Sequence, residues 1–405
     1  MEVIDKLYRI ALENSNLIKD YRKRYLYASI HGILRSSSKG KKPIVILSGI
    51  RGIGKTTLML QLFSNSEHAF YFSADSIIVR TSSIYSIVEE AQKQGYTAIF
   101  IDEIHKYPRW IEELKNIYDD FNLNIVVSGS STAALKKGSI LLGRRAINIP
   151  LLPLTFAEFF YLNEGKEYTA TIGDVLDKKN TLKWLADHPD VEASYKEYLL
   201  HGGFPLRIED DSIVFRLVKR MIYEDALAEF SLTKNKVDIA ERMLGFLSVS
   251  TPGEFSYTSF SSMSGYSKST VYESVILLTE LEILRIVEEE NPKSKVKKTI
   301  KLLFSHPNLR AAFSGQLMQE PGVGAMREEY FLFHMAYLGL PVFIPKKGRK
   351  FPDYEVVLST GRLLFEIGGS SKTSKQFMGQ TGVVIDDERL IVLGFVNHVQ
   401  KTDQK

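Results

Sequence analysis

The sequence of 405 residues contains no cysteine. Disulfide bonds, thiolate metal ligands and cysteine nucleophiles are therefore excluded, and the composition fits a reducing compartment. The sequence also lacks an uninterrupted apolar run of the roughly 18 residues that a membrane-spanning helix requires. Its first residues, MEVIDKLYRIALENSNLIKDYRKRYLY, are charged and amphipathic and lack the apolar centre of a signal peptide. We therefore expect a cytoplasmic protein without a membrane partner.

A strong excess of one charge is missing as well. The sequence has 52 Lys and Arg against 48 Asp and Glu, which leaves a net charge of +4. A general basic field is therefore no argument for nucleic acid binding, and any such argument has to be local. The length predicts two to four domains, because a single core rarely grows to this size.

The stretch IVILSGIRGIGKTTLML, from Ile44 to Leu60, carries the most specific motif. It predicts a strand, then a loop that fits the phosphate-binding pattern G-x-x-x-x-G-K-[ST], then a helix. Glycines let the backbone N–H groups face a polyphosphate, and the helix directs its positive end to the same place. We expect Lys55 to reach the β- and γ-phosphates and Thr56 to bind Mg²⁺. The predicted nucleotide-binding residues are Gly49, Ile50, Arg51, Gly52, Ile53, Gly54, Lys55, Thr56 and Thr57.

Two further strand ends supply polar side chains. The run Ala98–Ile101 is followed by Asp102 and Glu103. We expect Asp102 to hold the metal ion and Glu103 to be the general base that polarises water. Ser128 follows another predicted strand, at 124–127, where a hydroxyl is able to sense the γ-phosphate. The plainer interpretations are a solvated acidic turn and a loop serine.

Residues 43–155 alternate short apolar runs with helical patterns, which predicts a parallel sheet with helices on both faces. Within this region Arg144 and Arg145 follow a helical pattern. Arginine is suited to a transferring phosphoryl group, so one of the two could act on nucleotide, in its own subunit or in a neighbour. The alternative is a structural ion pair.

The middle of the chain has two patterns. Residues 153–230 are helical and predict a lid behind the nucleotide. Residues 235–305 predict three helices and a β-hairpin, which is a winged helix that would bind DNA through its third helix and its basic wing. A module that contacts protein is the alternative. The predicted DNA-binding residues are Lys268, Lys293, Lys295, Lys297, Lys298 and Lys301.

The last hundred residues predict a fourth unit with a helix and several strands. The helix is expected from about Gly324 to Leu340. The strands are expected at 342–344, 354–358, 363–367 and 390–395.

With these segments in place, the sequence resembles a family of AAA+-like ATPases of archaea and bacteria. The resemblance rests on SGIRGIGKTTL, IFIDEIHKYPRW, VVSGSS, GRR with PLLPLTFAEFF, and LLHGGFP. It implies ATP and Mg²⁺ as cofactors and catalytic roles for Lys55, Glu103, Ser128 and Arg144, with Thr56 and Asp102 at the metal. It favours Arg144 over Arg145.

The resemblance also implies an α/β fold class with five parts. A phosphate-loop core with a parallel sheet is followed by a helical lid, a winged helix and a small α/β domain similar to restriction endonucleases. The expected bounds are 1–40 for an N-terminal helical lead-in, 41–155 for the core, 156–232 for the lid, 233–306 for the winged helix and 307–405 for the last domain.

Nucleases of that last kind hold Mg²⁺ with an Asp and with a Glu that precedes a Lys by two residues. Asp353 and Glu366 are the corresponding acids and a possible second metal site, and Glu328 is a possible helix acid. Gly368 occupies the lysine position, and Lys372 lies four residues further on. The expectation is a degenerate domain that binds without cutting.

Three functions remain open on the sequence. The first is an ATPase that acts on double-stranded or branched DNA, with a homo-oligomer possible. The second is a nucleotide-dependent signalling switch that gates a protein partner. The third is an ATP-regulated, metal-dependent DNA nuclease. The basic hairpin favours the first function, and the missing lysine weakens the third.

Overall fold

A computed structural model describes most of the chain. The described residues are 2–36, 40–205, 212–226, 234–290, 300–345, 352–369, 377 and 380–397. Lys293, Lys295, Lys297, Lys298 and Lys372 lie outside them. The chain divides into two compact units, Met1–Leu152 and Pro153–Lys405. The finer division into five parts stays a prediction.

The first unit is built on a five-stranded sheet in the order β2-β3-β4-β1-β5, with every neighbouring pair parallel. Every residue of β1 and β3 is buried, which explains why these strands read as continuous apolar runs. The α/β fold class expected of the core is confirmed. The strands are β1 Ile44–Ser48, β2 Ala69–Ser73, β3 Ala98–Asp102, β4 Asn124–Ser128 and β5 Ala146–Pro150.

Helices surround this sheet and share its apolar core. Short 3₁₀ turns at Ile104–Lys106 and Gly143–Arg145 complete the unit. The helices are α1 Glu2–Leu17, α2 Leu26–Arg35, α3 Lys55–Ser64, α4 Ile77–Arg80, α5 Ile84–Lys93, α6 Trp110–Asp120 and α7 Thr132–Leu142.

The second unit begins with helices and π-helical turns, at Tyr198–Gly202 and Met221–Ala226. Three helices then precede an antiparallel hairpin, in the order that the sequence predicts. Ser267 caps the third of them, because its hydroxyl accepts from the Thr270 N–H at 3.2 Å. The helices are α8 Phe156–Glu164, α9 Ile172–Leu176, α10 Lys178–Asp187, α11 Val191–Glu197, α12 Ser212–Arg220, α13 Lys234–Val249, α14 Tyr257–Ser264 and α15 Lys268–Glu280, and the hairpin strands are β6 Leu284–Glu288 and β7 Ile300–Phe304.

A four-stranded sheet in the order β11-β10-β9-β8 follows in the same unit. Its strands are antiparallel except for the pair of β10 and β11. The elements are α16 Pro307–Gln316, α17 Val323–Tyr337, β8 Val342–Phe343, β9 Tyr354–Leu358, β10 Gly361–Ile367, β11 Gly382–Ile385 and α18 Asp387–Leu393.

One predicted strand is wrong, because the apolar run 390–395 begins inside helix α18. Asp386 caps this helix by accepting from the Arg389 N–H at 3.1 Å. Two acids follow in the first turn, where the helix dipole favours negative charge. A short buried apolar run fits a strand and a buried helix equally well, and here the cap decides.

Gly138 is the point where α7 meets α6. A Cβ at this glycine would lie 1.9 Å from the Trp110 ring, whereas a Cβ at Gly32, inside α2, would meet nothing within 4 Å. We expect Gly138→Ala to destabilise the protein by about 1–3 kcal/mol through overpacking. Gly32→Ala should gain about 0.5–1 kcal/mol from helix propensity. Thermal denaturation of both variants tests the opposite signs, and a stable Gly138→Ala variant would contradict this packing.

Candidate functional site

The loop after β1 has the backbone that a phosphate cradle needs. Gly49 has φ 148° and Gly54 has φ 91°, in the left-handed region that favours glycine. A Cβ at Gly49 would lie 2.3 Å from the Leu151 carbonyl oxygen. The loop is therefore packed too closely against the residues after β5 for a side chain at this position.

Lys55 opens α3 and turns its amine back into this loop. It is 6% exposed, and its Nζ donates to the carbonyl oxygens of Gly49 at 2.7 Å and Ile50 at 2.9 Å. The ammonium is thus held at the centre of the cradle, where it would meet the phosphates of a nucleotide.

Asp102, at the end of β3, accepts hydrogen bonds from four donors. Its Oδ2 accepts from the Thr56 hydroxyl at 2.6 Å and from the Tyr71 hydroxyl at 3.0 Å. Its Oδ1 accepts from the Glu103 N–H at 3.0 Å and from the Ser128 hydroxyl. Burial, followed by Asp102, raises the pKa of Tyr71 well above its usual value, so this phenol stays a donor. The structure thus joins the predicted metal acid to the predicted metal-binding hydroxyl.

Glu103 adopts φ 51°, an unusual backbone for a residue with a side chain. Its Oε2 accepts from the Ser130 hydroxyl at 3.2 Å and lies 3.4 Å from His105 Nδ1. Burial, and then Asp102, raises the pKa of Glu103, while Lys55 lowers it. A carboxylate with a raised pKa beside the cradle suits a general base.

Sequence reasoning missed Ser130 and His105. The expected γ-phosphate contact of Ser128 stays a prediction, because its buried hydroxyl donates to Asp102. Ser130, two residues later, is the serine of this strand end that contacts Glu103. The only sequence signals were the second serine of SGSS and a histidine two residues after the acid.

The residues of this site fit a magnesium–nucleotide complex. Thr56 and Asp102 offer a hydroxyl and a carboxylate 2.6 Å apart, and oxygen donors are the ligands that Mg²⁺ prefers. The glycine cradle and the start of α3 provide backbone N–H groups for phosphate.

Arg24 fixes the cradle from the N-terminal segment. Its guanidinium donates to the Ile53 carbonyl at 2.9 Å and to the Leu152 carbonyl at 3.0 Å. The side chain is 7% exposed. Arg24 therefore joins the tip of the phosphate loop to the end of the first unit, a role that the sequence did not indicate.

The two candidate arginines after α7 differ in their surroundings. Arg145 makes a bidentate ion pair with Asp119, at 2.9 and 3.0 Å. Arg144 is exposed, and no ion pair to it is found among the described residues. The structural ion pair thus belongs to Arg145, and the nucleotide role of Arg144 stays a prediction.

The acids of the possible second metal site lie in the second unit. Asp353 precedes β9 and Glu366 lies in β10, at neighbouring positions of the antiparallel register. Asp353 Oδ2 accepts from the Ile367 N–H at 2.9 Å. Within the described ranges, no group of three or more His, Asp or Glu has metal-ligand geometry.

The prediction that Lys301 binds DNA requires a correction. The Nζ of Lys301 lies 3.3 Å from Glu328 and 3.6 Å from Asp353, and its side chain is 13% exposed. It also lies 4.4 Å from the centre of the Tyr354 ring. The ammonium is directed at the acids and not at the surface, whereas Lys268 is exposed at the start of α15.

Among the helices that the structure describes, none has the length and apolar character needed to cross a membrane.

Comparison with known proteins bears on the first unit above all. Residues 41–160 match a family described as AAA domain. An uncharacterized protein of Methanocaldococcus jannaschii is 26% identical over 397 residues, which are 86% of this chain and 81% of that protein. The RuvB subunit of the Holliday junction branch migration complex of Latilactobacillus sakei is 30% identical over 112 residues, which are 27% of this chain and 30% of RuvB.

Solved structures are similar at low scores. The Aeropyrum pernix ORC1 protein in complex with DNA gives a TM-score of 0.29 at 14% identity, covering 73% of this chain and 94% of ORC1. AMPPCP-bound DnaA from Aquifex aeolicus gives a TM-score of 0.27 at 14% identity, and the match covers 64% of this chain and 88% of DnaA. The family match and the loop geometry carry the conclusion. Residues 41–160 match the AAA domain family, and within them the loop between β1 and α3 has the glycine conformations of a phosphate-binding loop.

Proposed function

We propose that the protein is a Mg²⁺-dependent ATPase that acts on DNA. One observation supports the ATPase above all. The hydroxyl of Thr56, which follows the phosphate loop, donates to Asp102 at the end of β3, and Glu103 is the next residue. This is the arrangement that phosphoryl transfer requires, with a metal site, a cradle and a base together.

Each residue has a separate task. Lys55 exchanges its loop carbonyls for phosphate oxygens, and the N–H groups of the loop hold the rest of the polyphosphate. Thr56 and Asp102 would hold Mg²⁺, which when bound neutralises developing phosphate charge. Glu103 takes a proton from the attacking water. Thr57 is proposed as a further nucleotide-binding residue, and Ser128 is proposed to sense the γ-phosphate.

Arg144 is proposed to act on the nucleotide of a neighbouring copy. It is exposed and lies two residues after α7, whose last turn includes Ile140 and Leu141, 79% and 60% exposed. An apolar helix end beside an arginine suits a contact between subunits, and arginine stabilises transferring phosphoryl groups. The neighbour is expected to be a second copy of this chain.

The DNA role rests on the second unit. The helices and hairpin from α13 to β7 have the winged-helix order, and Lys268 is exposed at the start of the third helix. Residues 291–299, between the hairpin strands, contain four lysines and no acid. RuvB, a relative of the first unit, carries a Holliday junction function in its name.

The last domain is proposed to grip DNA without cutting it. Lys301 already forms ion pairs with Glu328 and Asp353, and Gly368 stands where a nuclease of this kind has lysine. An ATP-regulated nuclease therefore ranks below the ATPase, with Asp353 and Glu366 as its metal ligands. A switch that gates a protein partner remains the alternative if DNA has no effect on turnover.

Glu103→Gln is expected to bind ATP but to hydrolyse it at least ~100-fold more slowly, because the side chain keeps its shape and loses its basicity. The measurement is ATP turnover beside a binding titration. Lys55→Ala is the matched control, since it should lose binding as well as turnover. Parent turnover in Glu103→Gln would remove Glu103 from the base role.

Arg24→Met should weaken ATP binding, because it leaves the Ile53 carbonyl without its charged donor. Such a bond contributes about 1.5–3 kcal/mol, so the Kd should rise roughly tenfold or more. Arg22→Met, two residues earlier at an exposed position, is the control. Equal ATP affinity in both variants, by calorimetry, would contradict a role of Arg24 in the loop.

Reversing Lys293, Lys295 and Lys297 to Glu should weaken duplex binding across all sequences. The salt dependence should flatten by about one log–log unit for each lost phosphate contact. The matched control reverses three exposed lysines of the first unit, Lys6, Lys115 and Lys137, with the same change in net charge. Unchanged affinity and slope in the hairpin variant would assign the winged helix to a protein partner.

A further inference from the structure

Four polar side chains meet beside the phosphate loop. Glu103 Oε2 lies 3.2 Å from the Ser130 hydroxyl and 3.4 Å from His105 Nδ1. The Ser130 hydroxyl also lies 3.5 Å from His105 Nε2. Arg51 Nη2 donates to the same hydroxyl at 3.3 Å. The two ring nitrogens of His105 therefore face the carboxylate and the serine that contacts it.

The protonation of the ring sets the direction of these contacts. Burial, and then the cations Lys106, Arg51 and Lys55, lowers the pKa of His105 to about 3. The neutral ring has one N–H, and a carboxylate oxygen near Nδ1 favours the proton there. Nδ1 then carries the N–H and lies 3.4 Å from Glu103 Oε2. The single hydroxyl proton of Ser130 is donated to the same oxygen, and the unprotonated Nε2 lies 3.5 Å from the Ser130 oxygen.

The position of the ring is fixed by its surroundings. The His105 side chain is 6% exposed and lies in the 3₁₀ turn that follows Glu103. A Cβ at Gly129 would lie 2.6 Å from His105 Nδ1. The glycine between the two serines thus makes room for the imidazole, and the ring has little freedom to turn away.

These contacts lead from the phosphate loop to the base. Arg51 lies in the loop between Ile50, whose carbonyl accepts from Lys55 at 2.9 Å, and Gly52. Its contact with Ser130 connects the loop with a direct neighbour of Glu103. Both contacts of Glu103 are made through Oε2, so we expect the attacking water at the other carboxylate oxygen, Oε1.

We propose that His105 and Ser130 are positioning residues that orient Glu103 for the attack of water, and that Arg51 connects them to the phosphate loop. The inference rests on the proposed role of Glu103 as base. It adds to the hydrolysis step one donor to Oε2 of the base, Ser130, and one ring packed beside that oxygen, His105. Neither residue touches the reacting atoms.

His105→Leu removes both nitrogens at similar size. The expected result is a fall of about tenfold or more in kcat for ATP, the scale of a lost orienting partner, with the ATP affinity unchanged within about twofold. His105→Asn restores a donor near Nδ1 and should recover much of the loss. His31→Leu is the matched control, because His31 stacks on Tyr27 in α2 and should keep the parent rate.

A double-mutant cycle separates positioning from a general effect on structure. If His105 acts through Glu103, His105→Leu should cost nothing further in the Glu103→Gln background, measured in single-turnover ATP hydrolysis. Losses that multiply would overturn the proposal, as would a parent rate in His105→Leu. Ser130→Ala removes the hydrogen bond to Glu103 Oε2. This variant should reproduce the kcat loss if His105→Leu fails to fold.

The outcome for Glu103→Gln alone distinguishes the two levels. If Glu103→Gln hydrolyses ATP slowly while His105→Leu and Ser130→Ala keep the parent rate, only the positioning proposal is contradicted. A parent-like Glu103→Gln sinks the base assignment itself, and with it the proposed mechanism.

Discussion

The carboxylate of Asp102 is the constraint on which the nucleotide site depends. A buried carboxylate is costly unless donors replace its water, and this side chain is 3% exposed. Its donors come from the start of α3 (Thr56), from β2 (Tyr71), from β4 (Ser128) and from the backbone of Glu103. The order β2-β3-β4-β1 is what brings these elements around one strand end. The fold and the site thus share one requirement, because the sheet that buries the acid also supplies its partners.

Nucleotide binding at this site exchanges contacts that already exist. The Lys55 ammonium is held by two loop carbonyls, and the Thr56 hydroxyl is held by Asp102. In the proposed complex a phosphate and a metal ion would replace these bonds, so the binding free energy would be a difference between two sets of contacts. The loop would lose little conformational entropy on binding, because Arg24 and the packing of Gly49 against Leu151 already fix its conformation.

The sequence was informative where a local pattern determines the structure. The phosphate loop, the strand ending in Asp102 and Glu103, and the capped third helix with its hairpin can all be identified from spacing and residue type. The run 390–395 was misassigned because buried helices and buried strands look alike over so few residues. Arg24, Ser130 and His105 were beyond sequence reasoning for another reason. Arg24 and Ser130 contact atoms that are distant along the chain and become neighbours only through tertiary packing. His105 is close to Glu103 in sequence, but the same packing brings it against Ser130.

Lys301 makes the same point about charge. Lys301 was predicted to be part of a basic wing, because it is one of five lysines around the predicted hairpin. In the structure its position in β7 places its amine beside Glu328 and Asp353. Burial raises the pKa of Glu328, and the nearby ammonium lowers it. An ammonium tethered to the same chain has a high local concentration, so a divalent ion would have to displace it.

The two acidic centres therefore solve the problem of a buried carboxylate in opposite ways. Asp102 is satisfied by the hydroxyls of Thr56, Tyr71 and Ser128 and by a backbone N–H, all of which are neutral. Its negative charge remains available to a cation. In the second unit the ammonium of Lys301 lies against Glu328 and Asp353 and offsets part of their charge. This physical difference between neutral and charged donors is the reason why we propose metal chemistry for the first centre and not for the second.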